Sequence, residues 1–295
     1  MIAKLVTATR AACCAALLLA VPAQAATGTL PVRREVDPSL THHVLFRPVL
    51  PAGSATKLPV VVFAGGGCRN AGARFSELLS EVASHGYFVV ALGDIGDPAK
   101  DVDPAHEPEY NGRPTKTDVS QIDWAVNWVK DQNTRTGGRF AGRLDVAHIA
   151  LMGQSCGGVQ SIDAASRLPG IATLVVLNSG LFPDDRQMGG SEVKRADLGK
   201  IKTPVMILLG GKEDVAYDNG QANFDLMVNA PTFLGSANYG HRATYFEKDG
   251  GLYGTVVRDW LDWQLKGKVT AAARFTGQDC GLCTDPQWAI RRRGI

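Results

Sequence analysis

The chain has 295 residues, which suits one large α/β domain or two small ones. Hydrophobic residues make up 45% and charged residues 20%, a balance that permits a substantial core and excludes global disorder. The 31 Lys and Arg nearly cancel the 29 Asp and Glu, so no charge excess marks nucleic acid or an anionic membrane surface as a partner.

In chain order, Lys4 and Arg10 give a basic start, residues 11–21 are apolar, and Ala23-Gln24-Ala25 has the small-x-small form of a signal-cleavage site. This pattern predicts a secretory signal over residues 1–25, cleaved after Ala25, with an apolar run too short for a stable membrane span. The expected location is secreted or periplasmic. Without the signal, Cys68, Cys156, Cys280 and Cys283 remain. An even count in an exported protein points to disulfides, with three possible pairings.

Residues 27–58 form a leading segment with a strand-like stretch at 42–48. Residues 59–64, PVVVFA, are a continuous apolar run of the kind buried on both faces of a parallel sheet. Gly65-Gly66-Gly67-Cys68 follows. Phe75, Leu78, Leu79 and Val82 recur at helical spacing up to His85-Gly86, and residues 87–92 form the next strand. Residues 93–115 are a polar loop at a possible site rim. Residues 118–132 are an amphipathic helix, with Ile122, Val126 and Val129 on one face. Residues 149–152 are a strand that runs into Gly153-Gln154-Ser155-Cys156-Gly157. Strands follow at 171–177 and 204–209, with a loop or short lid over 179–200 between them. A helix is expected at 219–228, a strand at 232–236 and a terminal helix at 253–265. Trp124, Trp128, Trp260 and Trp263 lie in helical patterns and read as packing residues. Arg291-Arg292-Arg293 reads as a solvated end.

Alternating strands and helices predict a single α/β domain over residues 26–295, with a mainly parallel sheet, helices on both faces, and a CxxC tail from about residue 268. Ligands of such sheets bind beyond the carboxyl ends of the strands. The turns after residues 64, 153 and 209 all lie at that edge.

The G-x-S-x-G at 153–157, set between a strand and a helix, has the context of a nucleophile elbow, with Ser155 at its tip. A serine hydroxyl needs a base to take its proton, and histidine has a suitable ordinary pKa. A carboxylate must then hold the imidazole in the right tautomer. Chain order after Ser155 selects Asp214, in the turn LGGKED past a strand end, with Glu213 and Asp218 as neighbours that also fit. It selects His241 in NYGH as the base. His42, His43, His85, His106 and His148 fit worse. Two N–H donors must face the developing oxyanion. Cys156 supplies one, and the glycine loop supplies the other from Cys68 or from Gly67. The loop has no Walker lysine, which argues against phosphate binding.

The ordered set GQSCG, GGGC, GGKED and NYGH resembles the α/β-hydrolase superfamily over roughly residues 40–267. The stretch from PVVVFAGGG to SELLSEVASHGYFVVALGD is similar to secreted bacterial cutinase-like and dienelactone-hydrolase-like esterases. The resemblance implies hydrolysis of a small-molecule or polymeric carboxylic ester through an acyl-enzyme. Ser155, Asp214 and His241 would form the triad, Cys68 and Cys156 would take the oxyanion positions, and no metal or organic cofactor would be needed. Gln154 and Cys156 stand where bacterial cutinases usually have His and Met, and Cys68 stands where they usually have an aromatic residue. With cysteine at both oxyanion positions, a Cys68–Cys156 disulfide is one reading and two small buried thiols the other. Cys280 and Cys283 read as a local disulfide clasp or as a redox pair. Phe182, Tyr217, Asn219 and Tyr239, in loops near the proposed site, are candidates to line the substrate pocket. A non-catalytic binding protein on the same fold is the alternative of a different class.

Overall fold

The computed structural model describes residues 26–96 and 114–295. The proposed signal segment and its Cys13 and Cys14, most of the 93–115 loop and His106 lie outside the described residues.

Nine strands form one sheet: β1 (Val32–Asp37), β2 (Leu40–Pro48), β3 (Leu58–Ala64), β4 (Phe88–Leu92), β5 (Leu144–Gln154), β6 (Ile171–Leu177), β7 (Val205–Leu209), β8 (Thr232–Ser236) and β9 (Ala289–Arg293). Their spatial order is β1-β2-β4-β3-β5-β6-β7-β8-β9. The six strands from β4 to β8 run parallel, and β1, β2 and β9 add antiparallel edges. The fold is a single-domain α/β fold.

The parallel strands are apolar because helices cover both faces. On one face, Val60, Val62 and Ala64 of β3 pack with α2 (Ser120–Thr134) through Ile122, Val126 and Val129, and with α3 (Cys156–Arg167) through Val159 and Ile162. On the other, Val61 and Phe63 pack with α1 (Ser76–Ser84) through Leu78, Leu79 and Val82, and with α5 (Gly251–Lys266) through Val257 and Trp260. Between α3 and α5 comes α4 (Tyr217–Leu226), which contributes Phe224 to the first face. Burying one such side chain contributes about 1.5–3 kcal/mol, so both layers supply much of the fold's stability.

The structure corrects the sequence reading in three places. First, the leading segment contains the hairpin β1–β2. Second, the arginine tail is no solvated end, because Arg291, Arg292 and Arg293 lie in β9 and pair with Leu234, Phe233 and Thr232 of β8. Their side chains reach Asp225, the Phe275 carbonyl and the Met227 carbonyl respectively, so charge and backbone pairing together hold the strand to the edge. Third, Trp124 is 41% exposed and meets the His43 ring edge-on, whereas Trp128 and Trp260 are buried as expected.

The C-terminal segment after α5 is part of the core. A short helix, α6 (Val269–Ala272), leads to Phe275, which stacks on Trp263 and meets Trp260 edge-on. Cys280 and Cys283 form a disulfide, with Cα atoms 4.9 Å apart, that closes the turn beside them. Among the described residues, no helix is long and apolar enough to cross a membrane.

Candidate active site

The carboxyl ends of β3, β5, β6, β7 and β8 bring together residues far apart in sequence. Ser155 follows β5 directly and opens α3. Its backbone sits at φ 52°, ψ −120°, a conformation that L-residues rarely adopt and that packed neighbours must enforce. The flanking glycines are steric requirements. A Cβ at Gly153 would strike the Gly157 carbonyl oxygen, and a Cβ at Gly157 would strike the Ala64 carbonyl oxygen at the end of β3. The turn is fixed further by the Ser155 N–H donating to the Leu177 carbonyl at 2.9 Å and by Ser179 Oγ donating to the Ser155 carbonyl at 2.6 Å.

His241 arrives from the turn after β8. Its Nε2 lies 2.9 Å from Ser155 Oγ, and its Nδ1 lies 2.6 Å from Asp214 Oδ1. The three side chains form one hydrogen-bonded line. The backbone of the histidine turn is held at its carbonyl by Gln154 Nε2, at 3.0 Å. The same Gln154 amide lies where a Cβ on Gly66 would project, so one side chain spans the glycine turn and the histidine turn.

Asp214 is buried, and both its oxygens are occupied. Oδ1 accepts from the Ala216 N–H at 2.9 Å as well as from His241, and Oδ2 accepts from the Gly210 N–H at 2.9 Å and from Asn178 Nδ2 at 2.7 Å. Burial pushes its carboxyl toward the neutral form. The hydrogen bonds from His241, Ala216, Gly210 and Asn178 outweigh it and hold the group below its ordinary pKa, so it stays ionised. Asn178 is in turn oriented by Tyr245, whose hydroxyl donates to Asn178 Oδ1 at 2.5 Å. Glu213 and Asp218, the alternatives in sequence, are exposed.

The two turns flanking Ser155 are joined covalently. Cys68 and Cys156 form a disulfide, with Cα atoms 5.3 Å apart. Cys156 is the first residue of α3, so its N–H has no acceptor within the helix and lies at the positive end of the helix dipole. Of the two residues weighed for a second donor, Gly67 lines the cleft beside Ser155. Cys68 is buried, and its side chain is committed to the disulfide. Gly67 has φ 66°, in the left-handed region that glycine tolerates without strain.

Two depressions meet at Ser155 and His241. The smaller, about 140 Å³, is lined by Cys156, Val159, Phe182, Met188, Ala216 and Asn219 among others. The larger, about 360 Å³, lies on the glycine-turn side and includes Phe75, Phe246 and three arginines. Of the four candidate pocket residues, Phe182 and Asn219 line the smaller cavity. Tyr217 instead lines a separate cleft of about 620 Å³ formed with Gly211 and the segment around Trp288. Tyr239 lines none of the three; it is 44% exposed and packs edge-on against Tyr253.

Sequence reasoning missed Asn178, Ser179 and Tyr245. A signal for the first two was present, since Asn178-Ser179-Gly180 follows an apolar strand directly at the carboxyl edge. Tyr245 carried none, because only the fold places it behind Asn178. Among the described residues, no group of three or more His, Cys, Asp or Glu could hold a metal ion. No protein-family model matches the chain, and no curated protein matches it in sequence.

Proposed function

We propose that this protein is an exported serine esterase of the α/β-hydrolase superfamily that cleaves carboxylic esters through an acyl-enzyme. The observation that carries the reading is the line from Ser155 Oγ to His241 Nε2 at 2.9 Å and from His241 Nδ1 to Asp214 Oδ1 at 2.6 Å. The strained backbone of Ser155 supports it, since it is what exposes a nucleophile at a strand-to-helix turn.

In the mechanism, His241 Nε2 takes the Ser155 proton as Oγ attacks the ester carbonyl carbon. The carbonyl oxygen becomes an oxyanion facing the Cys156 N–H and an N–H of the glycine turn, from Cys68 or Gly67. Asp214 keeps the proton on His241 Nδ1 before attack and stabilises the imidazolium after it. The imidazolium returns its proton to the leaving alkoxide, which departs as the alcohol. Water then enters, gives its proton to His241 and attacks the acyl carbon. Ser155 leaves with the proton from His241, and the carboxylic acid is released. Every proton moves through His241, and the residues named complete the cycle.

Two disulfides among the described residues and the signal-like pattern of residues 1–25 support a secreted or periplasmic location. The test of function is hydrolysis of p-nitrophenyl acetate by the wild type and by Ser155→Ala and His241→Ala. Each substitution is expected to lower kcat by roughly a millionfold, to background. Wild-type-like turnover by either variant, or a wild type that neither hydrolyses the ester nor is labelled by an organophosphonate, refutes the reading and favours a non-catalytic binding protein.

A further inference from the structure

The two depressions at Ser155 differ in chemistry as well as size. The smaller one is mostly apolar, with Val159, Phe182, Met188 and Ala216 on its walls. The larger one has Arg69, Arg74 and Arg242 on its walls, and no Asp or Glu lines it among the described residues.

The three cations are not equivalent. Arg69 and Arg74 are engaged with other groups. The Arg69 guanidinium also packs against the Cα side of Gly67, where a Cβ would lie 2.6 Å from Nη1. Arg242 differs. It directly follows His241 in sequence and is exposed, with its guanidinium over the Phe246 ring, 5.0 Å from the centroid. It makes no ion pair with any described residue. A cation laid on an aromatic face is held in one region while its N–H fork stays open to a ligand. An arginine fork matches a carboxylate with two parallel hydrogen bonds. In a partly enclosed cleft, such a pair is screened less than on open surface.

We propose that the substrate is an ester of a short acyl group with an alcohol or phenol that bears a carboxylate, and that Arg242 recognises this carboxylate. The inference rests on the esterase reading of the same site. The short acyl group occupies the cavity of about 140 Å³, and the anionic leaving group occupies the arginine-lined cleft. Arg242 is then a specificity-determining residue. It acts on binding of the leaving-group side and takes no part in the proton transfers of His241.

The test compares para-acetoxybenzoate with its neutral methyl ester, methyl para-acetoxybenzoate, both followed by release of the phenol. The readout is the ratio of their kcat/KM values. Comparing this ratio between variants cancels the intrinsic reactivity of the two leaving groups. Arg242→Gln is expected to lower the ratio about tenfold relative to wild type, the effect expected for one charge-assisted contact. Arg242→Lys is expected to fall between the two, since it keeps the charge and loses the fork. Added salt is expected to lower the wild-type ratio and leave that of Arg242→Gln nearly unchanged. Arg135→Gln, which removes an exposed charge past the end of α2, serves as a control and leaves the ratio at the wild-type value.

An unchanged ratio in Arg242→Gln overturns the proposal. So does a preference that appears only when the carboxylate is on the acyl side, as in mono-p-nitrophenyl succinate. The two readings fail differently. If the wild type hydrolyses neither of these two acetates nor p-nitrophenyl acetate and takes no organophosphonate label, the esterase reading itself has failed. If it acts on p-nitrophenyl acetate but on neither of these two, the present proposal alone has failed. If it hydrolyses both and the ratio ignores Arg242, only the present proposal has failed.

Discussion

Cys68 ends the glycine turn after β3, Cys156 begins α3, and their disulfide holds the two Cα atoms 5.3 Å apart on either side of Ser155. The bridge therefore links the two backbone segments that carry the candidate oxyanion donors. A donor contributes to catalysis only when it is already aimed at the developing charge, so spacing fixed by a covalent bond favours turnover more than ground-state binding. The double variant Cys68→Ala/Cys156→Ala is expected to lose about 2–5 kcal/mol of stability, because the bridge closes a long loop. It is also expected to lose kcat more than KM rises. Thermal unfolding and steady-state kinetics on a neutral acetate check both. A variant with lowered Tm and wild-type kcat would leave the bridge a purely stabilising role.

The carboxylate behind His241 depends on Asn178. Its amide donates to Asp214 Oδ2 at 2.7 Å and accepts from Tyr245 at 2.5 Å, all out of contact with water. Asn178→Asp would put a second carboxylate against the first. Two such groups cannot both ionise readily, so the pair would hold a proton at a pH where Asp214 alone does not. The expected result is a kcat about tenfold lower or less at neutral pH, and an acidic limb of the kcat/KM profile shifted upward. Tyr245→Phe leaves Asn178 Oδ1 buried and unpaired, a loss of about 1–3 kcal/mol readable by denaturant unfolding. A pH profile for Asn178→Asp that overlays the wild type would show that Asn178 does not tune the acid.

A second carboxylate governs stability in acid. Glu81 on α1 is buried, which pushes its pKa up. Hydrogen bonds from His85 Nε2, Thr27 Oγ1 and the Thr27 N–H outweigh burial and bring it down to about 2, from an ordinary 4.5. A depressed folded-state pKa means that the ionised form is the one the fold stabilises. The contribution is complete above pH 4.5 and is lost as the pH falls through that range toward 2. Glu81→Gln is expected to have a lower Tm than wild type at neutral pH and a shallower fall of Tm between pH 4.5 and 2. Parallel Tm curves for the two proteins would remove Glu81 from the account of acid unfolding.

These contacts also mark how far the sequence could be read. The elbow was legible because its geometry forces glycine at 153 and 157. The meeting of Asp214 and His241 with Ser155 was legible because strand ends and chain order leave few candidates. The buried strands were legible because two-sided burial writes an unbroken apolar run, as in residues 59–64. By contrast, β1 reads VRREVD, with three polar residues in a row and Val36 exposed at the sheet edge, and β9 is built on three arginines, so neither carries the signal of a core strand. Their pairing depends on a partner distant in sequence. Asn178 and Tyr245 were hidden for a similar reason: their roles exist only where β6 and the turn after β8 converge. Pocket residues were read least well: Tyr217 opens α4 and lines a separate cleft, and Tyr239 packs on Tyr253, according to backbone detail that local sequence does not encode.

On the proposed esterase reading, Phe182 is a handle on acyl selectivity. It lines the cavity of about 140 Å³ next to Ser155, and the Arg186 guanidinium lies over its ring at 4.3 Å from the centroid, which limits how far the ring can swing aside. On that reading, a short acyl group is expected to fill the space and longer chains to meet the ring as a wall. Phe182→Ala removes the wall without touching Ser155, His241 or Asp214. Each additional methylene accommodated in an apolar pocket is worth about 1–3 kcal/mol in kcat/KM. The preferred p-nitrophenyl ester is therefore expected to move from acetate or butyrate in the wild type to hexanoate or longer in the variant, with acetate turnover reduced because the small substrate is held less closely. The measurement is kcat/KM across a series of graded acyl length. An optimum that stays at the same chain length would place the acyl group outside this cavity.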